Sequence, residues 1–360
     1  MIGAGAAGRV LARRRSRAEH AACVVARGRG GVTYARTVVV SFLLVCAVTV
    51  SGHVLLVVCA PAQAVQSPQQ ADPRINEIDR LIEAGKLAEA RALLTRETAE
   101  RGTSYQALFR EAKILFRERN YQNSLKVLER CLALNKQDPE VYRLVASDAI
   151  LLNRMDIAEQ ALKSASQLAP GDYLFSFNLG ALYYTNSRFA QAQPMLEKSV
   201  KLNPNYVPGR VFLGLTLEEL GREQSAIGSY LQAIELTERS GTRGEQPYLY
   251  LGRLLYRQNK IEQSLPYLQK AVRANPRSCE SLCLLSRVLV FQARQAEAVA
   301  ALNQCIQADA KYPEAHYLLS RAYVRDGRTQ EAATELALFQ KLKTLDQNNK
   351  DPRNNQRADR

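Results

Sequence analysis

"HYLLSRAYVRDGRTQEA", residues 316–332, decides the fold, because two earlier stretches repeat its frame: "LYLGRLLYRQNKIEQS" (249–264) and "FNLGALYYTNSRFAQA" (177–192). In each, a leucine (Leu319, Leu251, Leu179) is followed by Ser or Gly, and a small residue (Ala332, Ser264, Ala192) comes 13 positions later. Working outward, a period of 34 residues covers 71–346, with repeats starting at 71, 105, 139, 173, 207, 245, 279 and 313 and a single slip of four residues, 241–244. A fixed period of this size points to an array in which each unit buries its faces against its neighbours, not to a domain with one core.

The positions within the period have a physical logic. Position 20 is Ala90, Ser124, Ala158, Ala192, Ala226, Ser264, Ala298 and Ala332. Small residues there and at position 8 let two antiparallel helices approach closely, while bulky residues at 7, 11, 24 and 28 fill the space between them. Position 24 is Leu94, Leu128, Leu162, Leu196, Tyr230, Leu268, Leu302 and Leu336. Pro170, Pro204 and Pro276 stand at position 32, where a second helix must have ended, and Gly85, Gly221 and Gly327 mark the turn between the helices of a repeat.

This frame of Leu-Gly, a Tyr or Leu at position 11, Ala at 20, a bulky residue at 24 and Pro at 32 resembles the tetratricopeptide repeat. The chain has no tryptophan, so the aromatic that the family usually carries at position 4 is never Trp here. The resemblance implies an all-α chain, an α-solenoid of about eight antiparallel helix pairs. It divides the chain into a basic leader with a signal peptide or membrane anchor (1–64), a linker (65–70), repeats one to five (71–240), a loop insertion (241–244), repeats six to eight (245–346) and a polar disordered tail (347–360). The insertion, with two glycines, is expected to be a longer loop at which the last three repeats swing as a block.

The net charge of +14 divides evenly. Residues 1–36 hold eight Arg and one Glu, and the other half of the excess is spread over residues 65–360. Between 37 and 71 no Asp, Glu, Lys or Arg occurs. An arginine-rich front, an apolar run at 38–60 and Ala62-Gln63-Ala64 have the layout of a secretory signal with a small-residue cleavage site. The run is also long enough to remain as a membrane anchor, and an organellar presequence is a further alternative. The main cases place the repeats across the cytoplasmic membrane, in the periplasm or envelope of a bacterium. "GAGAAG" (3–8) matches a dinucleotide fingerprint but has no strand before it, and Cys59 follows Val58, not the small residue of a lipoprotein signal.

Chemistry is sparse. Of three histidines only His316 lies outside the leader, so neither a catalytic triad nor a multi-histidine metal site assembles from the repeats. Glu218 and Glu219 read as solvated surface. Seven cysteines form no disulfide framework: Cys131 and Cys305 occupy position 27, where a small buried residue is wanted, and Cys279 and Cys283, one turn apart, make at most half a metal site. The expectation is a chain without enzymatic activity, cofactor or metal.

What the resemblance implies is a non-catalytic interaction scaffold, its first-helix positions 2, 5, 9, 12 and 13 lining a concave groove for a peptide or protein. Position 9 of the last three repeats is Arg253, Arg287 and Arg321, and position 13 adds Arg257 and Arg325. A ladder of guanidinium groups favours an acidic partner, each fork gripping two oxygens, unless these arginines pair with glutamates of neighbouring helices. Phe177, Tyr184, Tyr256 and Tyr317 would add stacking contacts on the same wall. Nucleic acid is not expected. The alternative is a repeat protein binding nucleic acid or another anionic polymer, its leader not exporting it.

Overall fold

A computed structural model describes residues 73–350. They form sixteen helices, and among the described residues there is no strand. The chain divides into two compact units, one running to Pro170 and one from Gly171. Each holds whole repeats, three in the first and five in the second.

In the first unit the helices are α1 (Pro73–Glu83), α2 (Leu87–Arg101), α3 (Tyr105–Arg117), α4 (Tyr121–Leu134), α5 (Pro139–Leu151) and α6 (Met155–Leu168). Ile75, Ile78 and Ile82, spaced at three and four residues, give α1 one apolar face, which packs with Ala90 and Leu94 of α2 and with Ala107 and Ile114 of α3. At the edge of this face Asp79 accepts from Arg110 at 2.6 Å and Lys113 at 2.9 Å of α3, tying the first repeat to the second. Asp148 is wholly buried in α5, its carboxyl near the Ser124 hydroxyl, which donates to the Ala112 carbonyl at 3.1 Å. Burial pushes its carboxyl up to about 7.

The second unit contains α7 (Tyr173–Thr185), α8 (Phe189–Leu202), α9 (Val207–Glu219), α10 (Glu223–Ser240), α11 (Gln246–Arg257), α12 (Ile261–Ala274), α13 (Cys279–Phe291), α14 (Gln295–Ala308), α15 (Pro313–Arg325) and α16 (Thr329–Lys350). Position 24 of one helix sits beneath position 8 of its partner. A Cβ on Gly214 would come within 2.5 Å of the Tyr230 ring, so this crossing tolerates only hydrogen at position 8.

All eight turns within the repeats use the same device, a residue of left-handed backbone at position 15. Three are the glycines noted in the sequence; the others are Arg119, Asn153, Ser187, Asn259 and Ala293, with φ between 57° and 63°. The following amide then reaches back to a carbonyl of the first helix, as Arg222 N–H does to Leu217 at 2.8 Å. Glycine therefore marked only part of a turn that the repeat imposes everywhere.

Residues 241–244 lie in the loop between α10 and α11, as expected, and the second helix of repeat five is longer than its equivalents. α10 runs 18 residues where α8, α12 and α14 run 14, and left-handed Gly241 ends it. Side-chain hydrogen bonds cross this joint. Glu238 at the end of α10 accepts from Lys270 at 2.8 Å and from the Tyr248 hydroxyl at 3.2 Å. Gln258 donates to Glu223 at 2.6 Å and Arg257 to Glu218 at 3.0 Å.

The leader, with its export and membrane-span expectations, lies outside the described residues; among the described residues no helix is long and apolar enough to cross a membrane. α16 continues to Lys350, four residues into the stretch expected to be a disordered tail.

Candidate interaction face of the last repeats

The arginines at position 9 are placed by the first helices of repeats six to eight, and their surroundings differ step by step. Arg253 lies over the Tyr250 ring at 4.7 Å, with Glu218 behind it at 3.8 Å and Glu280 of the next repeat ahead at 3.7 Å. Burial works against its charge, but Glu218, Tyr230 and Glu280 outweigh that effect and raise its pKa. Arg287 donates to Glu314, again position 2 of the next repeat, at 2.6 Å. No further repeat follows Arg321 among the described residues. Its guanidinium stands 5.9 Å from the Tyr317 ring and, with Arg325, has no acidic partner among the described residues.

The ladder read in the sequence is therefore two things. Arg253 and Arg287 are bonds between repeats, neutralised by glutamates one period on; Arg321 and Arg325 are unmatched and exposed. Arg257 belongs with the first group, since it donates to Glu218.

Glu218 was the residue the sequence misled about most. It is buried, not solvated: one oxygen accepts from the Tyr230 hydroxyl and the other from Arg257. Burial and then Glu218 hold the Tyr230 phenol well above its usual range. The available signal was Tyr230, the one residue at position 24 that is not leucine and so brings a hydroxyl that needs a buried acceptor.

The aromatic residues also divide. Phe177 and Tyr184 are core, not wall: Phe177 packs on Tyr206 and Phe212 at 5.1 and 5.3 Å, and Tyr184 on Phe189 and Phe212 at 5.6 and 5.7 Å. Tyr256 and Tyr317 remain half-buried, facing Phe291 and Phe339. His316 is buried with both ring nitrogens engaged, Nδ1 with Glu335 at 2.6 Å and Nε2 with the Ala310 carbonyl at 3.0 Å, so it holds the last repeat together. Cys279 is joined to Cys305 across the seventh repeat, their Cα atoms 4.8 Å apart, and is not paired with Cys283. No cluster of metal-ligating side chains occurs among the described residues.

The repeat geometry agrees with comparisons to known families. A family model described as tetratricopeptide repeat matches residues 75–139, 177–241 and 283–343, more than half of the chain. The chain belongs to the tetratricopeptide repeat family. A second tetratricopeptide repeat model matches 246–278, and one described as YpiA-like tetratricopeptide repeats matches 151–200. Among curated proteins, the array is similar to the BBSome complex member BBS4 of Mus musculus, 28% identical over 136 residues, or 38% of this chain and 26% of that one. It is also similar to tetratricopeptide repeat protein 13 of Homo sapiens, 30% identical over 117 residues, or 32% of this chain and 14% of that one. The match thus spans about a quarter or less of these relatives. Among solved structures, MamA is 21% identical with a TM-score of 0.42, covering 47% of this chain and 96% of its own. YrrB, described as a TPR protein with an unusual peptide-binding site, is 18% identical with a TM-score of 0.42, covering 51% and 93%.

Proposed function

We propose that the array is a protein-interaction scaffold that binds an acidic peptide segment along the first-helix groove of its last repeats, in the cell envelope. The observation that carries this reading is the contrast within one register. Arg253 and Arg287 have glutamates 34 residues periodic with one another, whereas Arg321 and Arg325 are exposed cations, Arg321 beside the half-buried ring of Tyr317. A carboxylate of a partner fits there as Glu280 and Glu314 fit the two arginines before it, with the ring supplying apolar contact.

Support for the envelope comes from two directions. The uncharged run behind the arginine-rich front has the layout of an export signal or anchor. The Cys279–Cys305 pairing suits an oxidising compartment, since thiols on the cytosolic side are kept reduced.

Binding is tested by titrating the chain against fluorescein-labelled acidic peptides, with neutral and basic counterparts and single-stranded DNA alongside. Selective binding of acidic peptides that weakens about tenfold when Arg321 and Arg325 are both exchanged for Gln supports the groove. Equal binding of DNA would favour the anionic-polymer alternative. Fractionation with thiol labelling tests the location: a soluble cytosolic chain with Cys279 and Cys305 free would contradict it.

A further inference from the structure

Among the described residues no further helix covers the outward face of repeat eight, a face that borders the groove wall at Arg321 and Val324. Position 24 is fully buried in repeats six and seven, where Leu268 and Leu302 are 0% and 1% exposed, because the first helix of the following repeat covers it. Leu336, the equivalent residue of repeat eight, is 40% exposed. Val324 of α15, one turn beyond Arg321, is 63% exposed.

The preceding joints show what such a face holds. At each, the next repeat's first helix lays its apolar side over the position-24 leucine and brings a glutamate at its second residue to the arginine at position 9: Glu280 to Arg253, Glu314 to Arg287. Arg321 is the third arginine of that series, still without its glutamate. One residue departs from the series. Phe339 stands at position 27, where Cys131, Ala165, Ser199, Ala233, Ala271 and Cys305 are small and fully buried, and it lies half-buried against Tyr317 at 5.2 Å. A helix arriving here therefore meets an aromatic ledge and must present a small side chain opposite it, as α15 presents Ala315 to the cluster around Cys305.

We propose that the terminal face formed by Val324, Leu336 and Phe339, with Arg321 at its rim, docks an amphipathic helix of a partner protein that carries a carboxylate in its first turn and a small residue one position later. The helix extends the stack by one layer, burying apolar surface that water otherwise meets and supplying the missing ion pair. A second copy of this chain fits less well in a two-fold arrangement, because Arg321 and Arg325 of both copies would face like charge.

The probe is a fluorescent, helix-stapled peptide of residues 311–326, the segment that the seventh repeat already holds through Arg287 and Leu302. The full chain is expected to bind it, and Leu336→Glu or Arg321→Glu each to weaken binding at least tenfold. A peptide with Glu314→Lys should bind the natural chain poorly and regain affinity for Arg321→Glu. Circular dichroism should show both variants fully helical, since neither residue is buried. Absence of binding, or binding indifferent to both substitutions, overturns the proposal. Self-association of the chain in sedimentation that Leu336→Glu abolishes also overturns it, by making a second copy the occupant.

Discussion

Position 24 of repeat five and position 24 of repeat eight occupy the same place in the period and have opposite fates. Tyr230 is fully buried, its hydroxyl bound to Glu218 and its ring beneath Gly214; Leu336 is an exposed leucine at the end of a stack. The difference lies in what comes next along the chain. In an array, burial is supplied by the neighbour, so an identical register yields a core residue in the interior and a surface at the end. The interior joint with the four-residue slip has gone furthest in the other direction. Glu218, Arg253, Arg257 and Tyr230 form a charged core where the other repeats have leucine and small residues.

The largest effect should come from breaking that core. Glu218→Ala leaves the buried Tyr230 phenol without its acceptor and takes from Arg253 and Arg257 the carboxylate they share, and should cost about 3 kcal/mol in urea unfolding. A cost below about 1 kcal/mol would mean that water replaces the carboxylate. Truncating the two leucines sharpens the comparison directly. Leu302→Ala should cost about 3 kcal/mol, whereas Leu336→Ala should cost less than about 1 kcal/mol. Equal losses would show that the terminal face is covered in solution.

Asp148 supplies a pH-dependent counterpart in the first unit. Burial raises its carboxyl from the ordinary value of 3.8 to about 7, so the folded chain binds this proton more tightly than the unfolded chain. Its contribution to stability is then highest in acid and falls as pH rises, levelling off above about 7. Asp148→Asn removes that slope. Its stability relative to the natural chain should be higher at pH 8 than at pH 5 by about 2 kcal/mol, measured by denaturant titration at both pH values. A difference independent of pH would show that the carboxyl is hydrated. The smallest effect concerns the turns. Ala293 is left-handed at φ 57°, so Ala293→Gly should stabilise by up to about 1 kcal/mol. A loss of stability there would mean that the Ala293 methyl makes a contact worth more than the strain.

Most of the fold was legible because it depends on equivalence between repeats. Small residues at position 20 and bulky ones at 24 specify the helix pair wherever they recur, and the period gave the boundaries. What could not be read were the places where equivalence fails. Residues 241–244 read as a loop and form one, but nothing in them says that α10 also gains a turn, because Gly241 ends a helix equally well one turn later. Phe177 at position 5 looked like groove wall, but Tyr206 and Phe212, large neighbours across the next joint, bury it. The ladder of arginines was visible as a row of charges. Which members were already neutralised depended on Glu280 and Glu314, whose identities were plain but whose pairing was one of two readings. Cys279 and Cys305, 26 residues apart, carry no spacing signature; helix packing within one repeat brings them together.

The central claim is that interior arginines of the ladder hold the array together and terminal ones are free to hold a partner. Arg253→Gln and Arg321→Gln, compared in one experiment for melting temperature and for affinity toward the acidic peptides, test it most directly. The account predicts that Arg253→Gln lowers the melting temperature by several degrees, while Arg321→Gln leaves it unchanged and weakens peptide binding. If Arg253→Gln is thermally silent, or if Arg321→Gln unfolds the chain and spares binding, the division of the ladder is wrong.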